Sequence, residues 1–293
     1  MIRWFLALCG LIMVLIAGLF LLDRLYPPDL SRHGDLSRTV VAADGSVLRM
    51  FTSADDKWRL PVRSEEVDPR YITFLLACED KRFWVHHGID LQAVIRAIGQ
   101  WIESGRVVSG ASTITMQVAR LLERRPRTFL SKGIEMMRAV QLEMRFSKAE
   151  ILSIYLTLAP FGGNLEGVRA ASLAYFGKSP RRLTVAEAAL LVALPQSPTT
   201  NRPDRHGKKA TAARTRVLQR LVAADVISSR TATEAGSIPL EGRRHDFPFR
   251  APHLSRRLLS SMPREATIHT HVVAAYQAAV ADIVRAAMGT AND

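Results

Sequence analysis

Hydrophobic and polar positions along the chain fall into four regimes. From Trp4 to Leu22 there are 19 residues without a charge. At roughly 1.5 Å rise each, they nearly cross a ~30 Å hydrocarbon core as one helix. The run is longer than a signal-peptide core and no small-x-small cleavage site follows it, so a retained anchor is expected over 4–22. Arg3 and the amine place residues 1–3 in the cytoplasm and the remainder outside it. Segment 23–65 is a linker in which Pro27 and Pro28 stop any helix. Within it, Thr39 to Phe51 alternates β-branched residues around Asp44-Gly45, which predicts a hairpin with a tight turn.

From 66 to 235 the period becomes 3.6. Helices are predicted over 71–78, 91–101, 134–146, 149–158, 185–194 and 210–226, punctuated by Pro160, Gly162, Gly163, Pro195 and Pro198. Residues 236–293 differ: prolines at 239, 248, 252 and 263 suggest an extended connector, 266–273 reads as a strand, and an alanine-rich helix follows.

Composition narrows the partners. A net charge of +13, from 40 Lys and Arg against 27 Asp and Glu, favours an anionic partner: nucleic acid, membrane surface or phosphate-bearing substrate. An exported domain argues against nucleic acid. The two cysteines, Cys9 inside the apolar run and Cys78 far outside it, exclude a disulfide framework and a Cys-based metal site.

Three constellations carry candidate chemistry. Glu79-Asp80-Lys81-Arg82-Phe83-Trp84-Val85-His86-His87-Gly88 packs carboxylates, bases and histidines at a helix exit, a pattern equally suited to a site or to a solvated helix end. Gly110-Ala-Ser112-Thr113-Ile-Thr115-Met116-Gln117 opens a helix, where hydroxyls serve either as caps or as phosphate donors. Arg120, Arg124, Arg125, Arg127 and Lys132 then form a basic run leading to Glu135. Such a run is ordinarily a solvated face, but here it follows a candidate anion site.

Together these residues resemble the peptidoglycan glycosyltransferases, glycosyltransferase family 51. Glu79-Asp80-x-x-Phe83-x-x-His86-x-Gly88 is similar to the first family motif, Gly110-x-Ser112-Thr113-x-Thr115-x-Gln117 to the second and Lys132-x-x-Glu135 to the third. Lys148-x-x-Ile151-Leu152-x-x-Tyr155 resembles the fourth and Tyr175-Phe176-Gly177-Lys178 the fifth. Ala159 to Arg169, and Leu194-Pro-Gln-Ser-Pro198 through His206, resemble the 1C type of bifunctional penicillin-binding protein. Three positions depart from the pattern: Met116 for glutamine, Ser131 for arginine and Thr157 for asparagine. Residues 236–293 resemble the start of the region leading into a transpeptidase. No Ser-x-x-Lys or Lys-Thr-Gly occurs, so penicillin-sensitive crosslinking is not expected of these 293 residues.

The resemblance implies a mainly α, lysozyme-like glycosyltransferase domain beside a transmembrane helix and a small β-hairpin. It implies that lipid II is polymerised into glycan strands at the outer, periplasmic or extracellular, face of the cytoplasmic membrane by a single-pass protein. Glu79 is then the base and Glu135 the second acid. Asp80, Phe83, His86, Ser112, Thr113, Gln117, Arg120, Arg127, Lys132 and Lys148 are expected to bind substrate. No cofactor is required by the pattern; a magnesium or manganese ion at Glu135 is the one candidate, and a metal site is otherwise unknown. Other cell-wall synthesis proteins are candidate partners. Trp101, Ile102, Phe129 and Leu130 are read either as an interfacial edge or as core. Two rivals stay open: a lysozyme-like glycan-cleaving enzyme, and a weak or inactive membrane-anchored scaffold.

Overall fold

The computed structural model describes residues 4, 10, 13, 17, 18, 20–104, 112–126, 128–263 and 265–290. The chain forms two compact units, one of Met1–Arg32 with Arg82–Tyr155 and one of His33–Lys81 with Leu156–Asp293. Most of the expected anchor lies outside the described residues, among which no helix is long and apolar enough to cross a membrane. The fold is mainly helical.

In the second unit the hairpin forms as the alternation predicts. Strands β1 (Arg38–Val41) and β2 (Val47–Phe51) pair antiparallel, Arg38 opposite Phe51 and Thr39 opposite Met50. Gly45 takes φ +78° in the turn, a conformation that glycine enters without a Cβ penalty. A third strand, β6 (Thr267–His269), runs parallel to β1 and completes a sheet of order β2-β1-β6. Val40, Ala42, Leu48, Ile268 and Ala274 form its apolar core.

A second small sheet joins β3 (Trp58–Arg59), β5 (Leu165–Glu166) and β4 (Pro160–Gly162). Arg59 is wholly buried there. Its guanidinium donates to Glu166 at 2.7 Å, to Asp55 at 2.8 and 3.1 Å, and to the Asp35 carbonyl at 2.6 Å. Burial disfavours the charge, but the hydrogen bonds to Asp55 and Glu166 outweigh it and leave Arg59 above its ordinary pKa.

The helical core of this unit is built around α7 (Val185–Ala193), capped by Thr184 and Glu187 in a reciprocal box. Residues Ala186 and Ala188 to Ala193 of α7 are buried on every side. Against α7 pack α1 (Pro69–Glu79), α6 (Val168–Phe176), α8 (Gly207–Ala223) and α9 (Ser229–Ser237). Helix α1 starts where Asp68 accepts from the Arg70 N–H and Pro69 supplies the first turn. The proline-rich tail departs from the extended connector expected of it. Pro252 opens helix α10 (Pro252–Ser261), because a proline is well suited to a first helical turn. A closing helix α11 spans Ala274–Thr290.

The first unit contains α2 (Leu91–Ser104), α3 (Ile114–Leu122) and α4 (Phe129–Arg145), together with most of α5 (Lys148–Leu158). Helix α4 begins five residues before the periodic signal at Ile134 because Thr128 caps it, accepting from the Ser131 N–H at 3.1 Å. Phe129 and Leu130, in its first turn, are 100% and 76% exposed, and Ile102 is 72% exposed, so these three are not core. The Trp101 side chain lies outside what is described. The polar stretch after the expected anchor is fastened to α4. Asp23 pairs with Arg145 at 2.9 Å, and the Tyr26 carbonyl accepts from Gln141 at 3.1 Å and from Arg138 at 2.5 Å.

Replacing Arg59 by leucine leaves the Glu166 carboxylate buried without its cation. Denaturant unfolding of Arg59→Leu should show a loss of about 3 kcal/mol or more, since breaking a buried pair from one side costs about 3–5 kcal/mol.

Candidate active site

Glu79 is the last residue of α1, half-buried, and its Oε1 accepts from the Gln196 side-chain amide at 2.8 Å. The adjoining Cys78 carbonyl accepts from the Arg220 guanidinium of α8. This cation at a helix C-terminus complements the helix dipole. Asp80 follows as the C-cap, buried, with its N–H donating to the Leu76 carbonyl at 2.9 Å. These residues all lie in the second unit.

The other candidates lie in the first unit. Gly88 has φ +88°, and a Cβ there would stand 2.8 Å from the Ala139 carbonyl oxygen, so only glycine lets this loop lie against α4. The Gly88 carbonyl accepts from the Thr113 hydroxyl at 2.6 Å, and the same hydroxyl accepts from the Met116 N–H at 3.1 Å. Thr113 is thus both the cap of α3 and the tie between the first and second motifs.

Lys132 brings the second and third motifs together. Its ammonium donates to the Ser112 hydroxyl at 2.7 Å and to Glu135 at 3.1 Å. Glu135 is 8% exposed, whereas the Lys132 side chain remains 38% exposed. A cation half open to solvent, flanked by a hydroxyl and backed by a carboxylate, is suited to receive an anion without rearranging.

A second cluster sits eight residues along α4. Glu143, its side chain 8% exposed, accepts from the Lys148 ammonium at 2.6 Å and from the Thr115 hydroxyl at 2.6 Å. The same ammonium lies 4.6 Å from the centroid of the buried Phe83 ring and 3.5 Å from His86 Nδ1. Phe83 and His86 meet edge to face with centroids 6.2 Å apart. First, second and fourth motifs therefore converge on one buried carboxylate.

Glu143 and Gln196 were not among the residues singled out by sequence. For Glu143 a signal was present: it lies on the Glu135 face of one helix, two turns on, and precedes Lys148 by five residues. Gln196 lacked one, because its partner is distant in the chain. Arg120 is half-buried in the last turn of α3, and Gln117 is half-buried in the same helix. Arg127 lies outside the described residues. Among the described residues no three His, Cys, Asp or Glu side chains gather as a metal cluster.

The three motif departures have local partners or packing. Met116 is buried core. Ser131 is buried in the first turn of α4, its hydroxyl 2.9 Å from that of Thr128. Thr157 is buried and its hydroxyl accepts from the Val62 N–H at 3.3 Å.

Five ordered motifs on a mainly helical scaffold define a transglycosylase domain. The chain belongs to that family: the family model described as Transglycosylase matches residues 44–222. It is 47% identical over 237 residues to penicillin-binding protein 1C of Escherichia coli (strain K12), covering 81% of this chain and 31% of that protein. It is 36% identical over 232 residues to penicillin-binding protein 1F of Bacillus subtilis (strain 168), covering 79% of this chain and 31% of that protein. Among solved structures, penicillin-binding protein 1A from Haemophilus influenzae matches with a TM-score of 0.40 at 22% identity, over 78% of this chain and 24% of that one. The chain thus spans under a third of the length of the two curated relatives described.

The Glu143 cluster yields a double-mutant cycle. Glu143→Ala leaves the Lys148 ammonium largely buried without its carboxylate and should cost roughly 3 kcal/mol in denaturant unfolding. Adding Lys148→Met should restore more than half of that loss; additive losses would show that the two side chains are uncoupled.

Proposed function

We propose that this protein is a peptidoglycan glycosyltransferase that polymerises lipid II into glycan strands. The observation that carries the reading is the Lys132 ammonium, held on Ser112 and Glu135 yet open on its remaining side, in a chain of the transglycosylase family.

The reaction needs two things from the protein. The acceptor 4-hydroxyl is a weak nucleophile at neutral pH and needs a base positioned to take its proton. Glu79 is the proposed base. As the acceptor oxygen bonds to the donor anomeric carbon, the bond from that carbon to the diphosphate breaks with inversion. The electron pair leaves on an undecaprenyl diphosphate, which gains negative charge. Fixed cations stabilise that charge most effectively when they are already in place. Lys132 is the proposed receiver, with Ser112 and Gln117 contributing hydrogen bonds and Arg120 and Arg127 as further candidate cations. Glu135 is the second acid, and its proposed part is to hold Lys132. Thr113, Phe83, His86 and Lys148 are proposed to act by holding the motifs together, and Asp80 by closing the helix that ends in Glu79.

The chemistry of the donor set does not favour a resident divalent ion. Glu135 already faces an ammonium at 3.1 Å, and no step is assigned to magnesium or manganese.

The reading extends to place and partners. The proposed fold of the domain is lysozyme-like. The proposed location is the cytoplasmic membrane, held by a single span over 4–22 with the domain on its outer face. There the lipid tail of the substrate stays in the bilayer. The exposed Ile102, Phe129 and Leu130 support an interfacial edge, because isolated apolar side chains so fully exposed gain by entering the acyl boundary. Lipid II, the growing strand, the membrane and other cell-wall synthesis proteins are the proposed partners; nucleic acid is not one.

The test is to incubate purified protein with labelled lipid-linked disaccharide and size the products. Lengthened glycan is expected. Shortening of preformed strands would favour a cleaving enzyme, and no turnover a scaffold. Glu79→Gln should reduce polymerisation by at least about 10²-fold with an unchanged melting temperature; retained activity would assign the proton to another group. Lys132→Ala should lower kcat/KM for the donor by about 10²–10³-fold, and unchanged kinetics would remove it from the diphosphate site.

A further inference from the structure

We propose that Gln196 is a positioning residue for Glu79: its side-chain amide holds the carboxylate, oriented, to take the proton of the acceptor hydroxyl. This rests on the reading of Glu79 as the base.

The contact is a 2.8 Å hydrogen bond from Gln196 Nε2 to Glu79 Oε1, between groups 117 positions apart. Its donor stands on a braced turn. Helix α7 ends in the core, the Ser197 N–H donates to the Leu194 carbonyl at 3.2 Å, and the Asn201 amide donates to the Ala193 carbonyl at 3.2 Å. The acceptor end is braced by the Arg220 guanidinium on the Cys78 carbonyl. Because α1 packs on α7, both ends of the bond belong to one packed core.

The choice of an amide has a chemical consequence. A neutral amide orients the carboxylate oxygen and stays uncharged at every pH, so it fixes direction without titrating itself. Close to the end of α1 in this unit lie Asp80 and Lys81 on the chain itself, Arg220 from α8, and the buried Cys78 and Tyr71. Burial first, and the Glu79 charge second or lower in order, pushes both Cys78 and Tyr71 above their ordinary ranges, so neither titrates on the acid side.

An amide that orients the carboxylate acts on turnover, so its loss is read in kcat and not in KM. The experiment measures kcat and KM separately for the full chain acting on labelled lipid-linked disaccharide, with Gln196→Leu, Gln196→Glu and Glu79→Gln alongside. Gln196 is exposed, and the melting temperature of each variant checks its folding. Gln196→Leu should lower kcat about 5–20-fold with little change in KM. Gln196→Glu should lower kcat at least as far, because a carboxylate has no N–H to donate to Glu79. A kcat unchanged in both variants, or a loss that appears in KM instead, with Glu79→Gln inactive, overturns the role of Gln196 alone. Full activity in Glu79→Gln overturns the base and this inference together.

Discussion

A carboxylate withdrawn from water must find a cation, and helix α4 carries two such carboxylates on one face. Glu135 and Glu143 are eight residues apart, each largely buried, and each is met by a lysine, Lys132 and Lys148 respectively. The cost of leaving either acid unpaired would be several kcal/mol. That cost draws together segments that are distant in sequence. Through Lys132 the start of α3 is tied to the start of α4, and through Lys148 the loop after α1 is tied to α5. The two pairs differ in exposure. Lys148 is 17% exposed and spent on its neighbours, whereas Lys132 is 38% exposed. The same electrostatic rule thus yields one pair that holds structure and one that keeps a charge available to a ligand.

The second unit follows the converse rule. Arg59, a buried cation, gathers Glu166, Asp55 and Asp35 around itself and so fastens the two-residue strand β3 to β5. In the same unit the apolar helix α7 supplies the core on which α1 packs. The carboxylate of Glu79 is therefore presented from the end of a packed helix. Two positions where the motifs depart from the family pattern have local partners: Thr157 accepts from the Val62 N–H, and Ser131 joins Thr128 at a helix cap.

The parts of this architecture legible in sequence were those written in local pattern. Asp44-Gly45 between alternating strands marked the hairpin, and the 3.6-residue period marked α1, α2, α5, α7 and α8. The start of α4 was not legible, because Phe129 and Leu130 face outward and add no periodic signal. Helix α10 was obscured by prolines, although one at the first turn favours a helix. In the candidate site, motif spacing identified Ser112, Lys132 and Glu135, which meet. It also identified Phe83, His86 and Lys148 without indicating that they converge on Glu143, because burial is set by tertiary packing. Gln196 was visible only as part of a subgroup stretch, since its partner lies 117 residues away.

On the proposed mechanism the Lys132 ammonium receives the departing diphosphate while Glu135 holds it in place. The direct measurement is an experimental structure of the protein with an unreactive lipid-diphosphate disaccharide. Diphosphate oxygens are expected within about 3 Å of Lys132 Nζ and of the Ser112 hydroxyl, with the Glu135 contact kept. A diphosphate seated elsewhere, with Lys132 still bound only to Ser112 and Glu135, would contradict it.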